Sequence, residues 1–230
     1  MHKINPYIIF DFETGGLKGQ KNAATEIAML CIDGNTLMEV GRYESYIKPY
    51  LGYDYDQKAL DFTGITLDLL ENKGKPLQQV VKEMMVCIKE WHNKTSATHT
   101  KKPILIGHNP KFDVAFLQQI FKEAKEDMRT YFDGDEDFFG KYQPSLIDTI
   151  QLSKLAYGND ETMTSYNLTA CVTKVGQSLP DAHKAINDVI ATKELLIEYV
   201  NRLRSNVGGA AGEKIRFRNN FRFKITEPKA

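Results

Sequence analysis

A chain of 230 residues, 42% hydrophobic and 26% charged, has an ordinary globular composition and the length for one sizeable core, not two large domains. Its formal net charge is zero, but residues 202–230 carry eight basic and two acidic groups while the preceding 201 residues carry 22 and 28. The longest apolar runs, such as YIIF at 7–10 and ILIG at 104–107, fall far below the ~18 residues of a membrane span, so no membrane partner is expected.

The N-terminal MHKINPYIIF lacks the long apolar stretch and small-residue cleavage site of a secretory signal. Cys31, Cys87 and Cys171 stand far apart in apolar contexts, which predicts buried thiols in a reducing compartment, the cytoplasm, rather than zinc ligands. Residues 7–12 alternate around β-branched and aromatic types and read as a strand. Residues 25–32 and 38–47 read as two more, joined by Asp-Gly-Asn turn chemistry at 33–35, and together predict an antiparallel meander. A short helix follows near 57–62, then one over 76–91, where Val80, Val81, Met84, Met85 and Ile88 recur at helical spacing. ILIG at 104–107 reads as a buried strand, and Pro110 opens a helix over 110–125. Residues 145–148 read as a short strand, 149–156 and 167–175 as helices, and about 184–203 as a long helix. Three strands followed by strands alternating with helices predict an α/β fold, a mixed five-stranded sheet with helices on both faces. The stretch between Lys122 and Pro144, with the acidic run DGDED at 133–137, reads as an irregular surface loop. Residues 205–213 read as a flexible linker separating a 1–204 domain from a tail at 214–230.

Three short segments carry the chemistry. In FDFETGGL at 10–17, Asp11 and Glu13 are two apart on a strand and project to one face, while Phe10 and Phe12 face the opposite way. Adjacent carboxylates repel, and one pKa rises unless a cation lies between them. The Gly15-Gly16 turn that follows lets another chain approach the backbone closely. In HNPKFD at 108–113, Asp113 shares a helix face with Phe116, Leu117 and Ile120. A carboxylate there is paired, neutral, metal-bound, or simply complements the helix dipole. Asn109 fits an N-cap as well as a substrate contact. In HKAIND at 183–188, Asp188 and Ala185 flank the apolar stripe of the long helix. His183 precedes Asp188 by five residues, a spacing that splays them by roughly 140° on one continuous helix, so they converge more readily if His183 belongs to the loop leading in.

Taken together, DxE, HNxxFD and HxAxxD make the sequence resemble the DEDDh branch of the DnaQ-like exonucleases over roughly residues 5–203. The 126–144 stretch and the tail have no counterpart in that pattern. The resemblance implies an RNase H-like fold and hydrolysis of single-stranded or frayed 3' ends of DNA, of proofreading type. It implies two divalent cations, Mg²⁺ or Mn²⁺, held about 3.5–4 Å apart by oxygen ligands. Asp11 would bridge them, Glu13 and Asp188 would complete one site, and Asp113 would support the other, with His183 as general base. Thr14, Gly15 and Leu17 would hold the terminal nucleotide, joined by His108 and Asn109. Phe112 reads as a stacking platform or as core. RNA in place of DNA, a DNA polymerase as partner, and a non-catalytic nucleic-acid-binding module on the same scaffold all stay open at this point.

KIRFRNNFRFKI at 214–225 alternates basic and apolar residues around Asn-Asn. A three-residue loop at 218–220 would make a β-hairpin pairing Phe217 with Phe221, with Arg216 opposite Arg222 across an anion. A solvated tail fits the same residues.

Overall fold

A strand with apolar side chains on both faces has to be covered on both sides, and the central strand β1 (Tyr7–Thr14) has this pattern. The computed structural model describes residues 4–179 and 184–205. Its main sheet comprises β1, β2 (Ala24–Ile32), β3 (Glu39–Tyr46), β4 (Ile104–Gly107) and β7 (Leu146–Asp148), while β5 (Gly134–Glu136) and β6 (Tyr142–Pro144) form a separate hairpin. The spatial order is β3-β2-β1-β4-β7. The first three strands are the expected antiparallel meander, and β4 and β7 join it in parallel. Among the described residues seven α-helices surround the sheet: α1 (Gln57–Thr63), α2 (Leu67–Lys73), α3 (Leu77–Lys94), α4 (Pro110–Glu123), α5 (Thr149–Tyr157), α6 (Leu168–Lys174) and α7 (Ala185–Ser205).

The alternation along β1 separates two cores. Ile8, Phe10 and Phe12 pack with Val80, Met84 and Ile88 of α3 and with Phe116 and Ile120 of α4. Ile9 points the other way, joining Leu30 and Ile106 against Val189, Leu196 and Ile197 of α7. By the same alternation Asp11 and Glu13 continue the α7 face, which is what brings them toward Asp188. Burying one such large side chain contributes about 1.5–3 kcal/mol, and cutting Phe116 to Ala would cost about 3–5 kcal/mol. Cys31 and Cys171 are buried free thiols and Cys87 is half-buried.

Two segments differ from expectation. Residues 122–144 are not an irregular loop: a 3₁₀ turn at Met128–Thr130 precedes the β5–β6 hairpin. Each strand is only three residues long, too short for a period, and the turn is held locally by the Asp137 carboxylate, which accepts from the N–H groups of Phe139 and Lys141. The second addition is α2. Gly64 at φ 70 ends α1, and the Thr66 hydroxyl accepts from Leu69 N–H to start a new seven-residue helix. Ser205 extends α7 one residue into the expected linker; the rest of that linker and the expected tail hairpin at 214–225 lie outside the described residues. Among the described residues no helix is long and apolar enough to cross a membrane.

Candidate active site

Parallel pairing of β1 with β4 ends at Ile9–Ile106. Beyond it the N–H of Phe12 faces the space that β4 no longer fills, and Oδ1 of Asp113 accepts it at 3.1 Å. Asp113 reaches this point because the chain turns sharply after Gly107: Asn109 is left-handed at φ 74, and Pro110 opens α4 immediately. The Asn109 side chain does not cap the helix and is exposed, while its backbone N–H donates to Oδ1 of Asp148. His108 braces the same corner from inside. Its Nδ1 pairs with the Thr149 hydroxyl at 2.9 Å and its Nε2 with the Tyr166 carbonyl at 2.8 Å, and burial holds its pKa down.

From α7, Asp188 comes to the β1 pair: carboxylate oxygens of Asp11, Glu13 and Asp188 lie within 4.8 Å of one another. The structure therefore gathers all four predicted carboxylates at the end of the central strand. Their electrostatics follow from crowding and burial together. Asp11 is raised well above the usual carboxylate range, first by burial, then by Asp113, Asp188, Glu13 and Glu26. Glu13, 8% exposed, is pushed up to about 8 by burial and then by Asp188, Glu26 and Asp113. Asp113 is raised to about 7 by burial, opposed by its hydrogen bond from Phe12 N–H.

The nucleotide-side residues are arranged less simply. The Gly15-Gly16 turn does admit a close chain, but that chain is the protein's own. Gly15 N–H donates to the Ala23 carbonyl, its carbonyl accepts from Asp56 N–H, and a Cβ on it would press on residues 54–55. Gly16, at φ 153, sits so close to the Asn22 side chain that any Cβ would strike it. Thr14 is buried, with its hydroxyl donating to the Gly16 carbonyl at 2.7 Å. Leu17 stands free at 83% exposed. Phe112 is half-buried, its ring 5.2 Å from that of Phe116 at the core edge. His183 lies outside the described residues.

Three positions escaped the sequence reading. Gln119, buried on α4, donates to the carbonyls of Gly19 and Asn22 and accepts from Tyr50 O–H, pinning the loop that carries Leu17. Phe62 is 68% exposed on α1, the helix that starts beside Gly15. Glu26 lies directly across from Glu13 in the β1–β2 register and is buried. As the one charged residue of β2, it carried a signal in the sequence, an acid inside an otherwise apolar run.

The donor set fits a hard divalent cation. It offers carboxylate oxygens and no thiolate, and burial leaves it short of the water that would otherwise stabilise several negative charges together. A mixed sheet in this order, with a carboxylate cluster at the end of its central strand, is an RNase H-like fold. Comparison with known proteins agrees. The family model RNase_T, Exonuclease, matches residues 8–196, and the chain belongs to this DnaQ-like exonuclease family, whose members depend on metal. Ribonuclease T of Marinobacter nauticus is 30% identical over 208 residues, covering 88% of this chain and 85% of that protein. DNA polymerase III PolC-type of Thermotoga maritima is 26% identical over 198 residues, 86% of this chain; the chain spans only 12% of the polymerase's length. Among solved structures, E. coli exonuclease I in complex with a dT13 oligonucleotide superposes with a TM-score of 0.67 at 19% identity, over 87% of this chain and 43% of that one.

Proposed function

We propose that this chain is a 3'→5' exonuclease that hydrolyses the terminal phosphodiester of single-stranded or frayed DNA, using two Mg²⁺ or Mn²⁺ ions. The observation that carries the reading is the convergence of Asp11, Glu13 and Asp188 within 4.8 Å, with Asp113 fixed alongside by the Phe12 N–H. These four residues would hold the ions, which when bound supply the Lewis acidity that activates water and offsets charge on the leaving 3' oxygen. His183, from the HKAIND segment, takes the proton of the attacking water. A P–O bond forms to that water, the bond to the 3' oxygen breaks, that oxygen takes a proton from solvent water to become the strand's new 3' hydroxyl, and a nucleoside 5'-monophosphate is released.

Asn109 and exposed Leu17 and Phe62, with Phe112, are the groups for the terminal nucleotides; stacking or wedging against bases tolerates any sequence. Thr14 and Gly15 shape the turn, since the Gly15 backbone and the Thr14 hydroxyl are engaged within the protein. His108 acts as a positioning residue, both ring nitrogens being engaged. RNA is the second reading, favoured by the ribonuclease T relative, which this chain matches over 85% of its length. A polymerase as partner rests on the PolC-type relatives.

Matched DNA and RNA strands labelled at the 5' end test this. A ladder shortening from the 3' end, dependent on Mg²⁺, abolished by EDTA and by Asp11→Ala, and reduced ~10²–10⁴-fold by His183→Ala is expected. Absence of any metal-dependent shortening of either strand would leave a binding module as the surviving interpretation. Preferential loss of the RNA strand would reverse the substrate assignment.

A further inference from the structure

Between the end of β4 at Gly107 and the start of α4 at Pro110 the chain has two residues in which to leave the sheet and begin a helix. The corner is tight: a Cβ on Gly107 would lie 2.9 Å from the Cβ of Pro110. Asn109 meets the constraint at φ 74, ψ 47, a left-handed conformation that residues other than glycine seldom take, asparagine being among the more tolerant. Such a conformation persists where the surrounding groups over-determine it. The Asn109 side chain gives no local support, because it makes no cap hydrogen bond to α4 and is exposed. Support comes from two consecutive residues at the end of the neighbouring strand. Gly107 and Asp148 are the last pair of the β4–β7 ladder. Beyond that pair, the Asn109 N–H donates to Oδ1 of Asp148 at 3.2 Å. The same oxygen accepts from the Ile150 N–H at 2.9 Å and so caps α5. The Thr149 hydroxyl lies 3.2 Å from the Gly107 carbonyl and 2.9 Å from Nδ1 of His108. Gly107, His108 and Asn109 are each met by Asp148 or Thr149.

We propose that Asp148 is a positioning residue for the substrate end: its carboxylate holds Asn109 in the left-handed corner, which sets the direction in which the exposed Asn109 amide meets the terminal nucleotide. The oxygens that converge within 4.8 Å belong to Asp11, Glu13 and Asp188, so Asp148 acts through the Asn109 N–H and not as a member of that cluster. Its residue type matters for reach. Capping α5 needs only an oxygen close to the backbone of residue 148, and serine would serve. Spanning to Asn109 as well needs the longer arm of aspartate or asparagine. This proposal rests on the reading of Asn109 as a nucleotide contact.

Asp148→Asn and Asp148→Ser separate the two jobs. Both remove the charge and both cap a helix well, but the serine oxygen sits one bond nearer the backbone and falls short of Asn109. Two measurements are made on the full chain: hydrogen exchange at the Asn109 amide without metal or substrate, and steady-state cleavage of a 5'-labelled dT oligonucleotide with Mg²⁺. Asp148→Asn should keep the Asn109 amide protected and KM within about twofold of wild type. Asp148→Ser should speed exchange at that amide and raise KM roughly three- to tenfold, the order of one net hydrogen bond, with kcat changed less and the melting temperature close to that of Asp148→Asn. Asn109→Gly, which keeps the left-handed corner and deletes the amide, should raise KM at least as much. Equal exchange and equal KM in the two Asp148 variants would overturn the proposal. If Asp148→Ser does not fold, the asparagine variant decides, because a tenfold rise of KM there would make charge and not reach the determinant. Wild-type KM in Asn109→Gly would overturn the proposal through its premise, the nucleotide contact. Absence of cleavage by wild type would instead defeat the exonuclease reading, and exchange at the Asn109 amide would still report whether Asp148 holds the corner.

Discussion

A carboxylate is least stable where water is excluded and other carboxylates are near, and Glu13 meets both conditions. At pH 7 without metal it keeps its proton, since its pKa stands at about 8. Glutamine is close in shape and polarity to that protonated form. Glu13→Gln should therefore leave the melting temperature in EDTA unchanged at pH 6 and raise it at pH 9, where wild type carries the extra charge. Its metal-dependent cleavage should fall by ~10² or more, because an amide is a poor partner for a hard dication. A melting temperature lowered at pH 9 would show that Glu13 has a favourable partner in the apo protein, contrary to its surroundings. At this scale the sequence was most informative. Spacing set Asp11 and Glu13 on one strand face and Asp113 and Asp188 on helix faces, while their membership of one set was implied by the resemblance that the three motifs carry together. Glu26 was not legible, because its place across from Glu13 depends on the register between β1 and β2, which no local period reports.

Among the elements, those longer than two helical turns announced themselves: α3, α4 and α7 bury stripes whose spacing is visible in the sequence. The β5–β6 hairpin and α2 were hidden for local reasons: Gly-Asp-Glu and Tyr-Gln-Pro contain no β-branched residue, and only three residues separate α2 from the end of α1. How the elements hold the loop after β1 was equally hidden. Gln119 reads as a polar residue on a helix, yet it is buried and its amide holds two carbonyls of that loop while accepting from Tyr50. Gln119→Ala leaves those groups without their partner in a dry setting, at a cost of about 1–3 kcal/mol. The pinned loop carries Leu17, so on the proposed contact of Leu17 with the terminal nucleotide KM for an oligonucleotide should rise several-fold while kcat changes less. Steady-state kinetics below the variant's melting transition check this, and a loss confined to kcat would detach Gln119 from substrate placement.

Across the whole molecule the carboxylate cluster makes stability depend on pH in a direction opposite to that of ordinary salt-bridged acids. Glu13, Asp113 and Glu26 have folded-state pKa values raised to about 8, 7 and 7. Unfolded, such groups titrate near 4, so between about pH 4 and 8 the folded chain binds more protons than the unfolded one, and stability falls as pH rises. The contribution is complete below the unfolded values and lost as pH passes through 7 to 8. Asp33 works in the other sense: the backbone and hydroxyl of Ser96, with the Thr36 and Asn35 N–H groups, hold it at about 2, so its contribution disappears only in strong acid. In EDTA the melting temperature should therefore be highest near pH 5 and decline by roughly 5–10 °C toward pH 9, a few kcal/mol for a domain of this size. Mg²⁺ or Mn²⁺ replaces the protons that these groups would hold, so added metal should raise the melting temperature most at pH 8–9 and little at pH 5. Binding near pH 7 should release protons, seen as a calorimetric heat that varies with the ionisation enthalpy of the buffer. A melting temperature that stays level or climbs from pH 6 to 9 in EDTA, with no response to metal at either end, would mean that the four carboxylates do not share one dry site, and the catalytic reading would go with it.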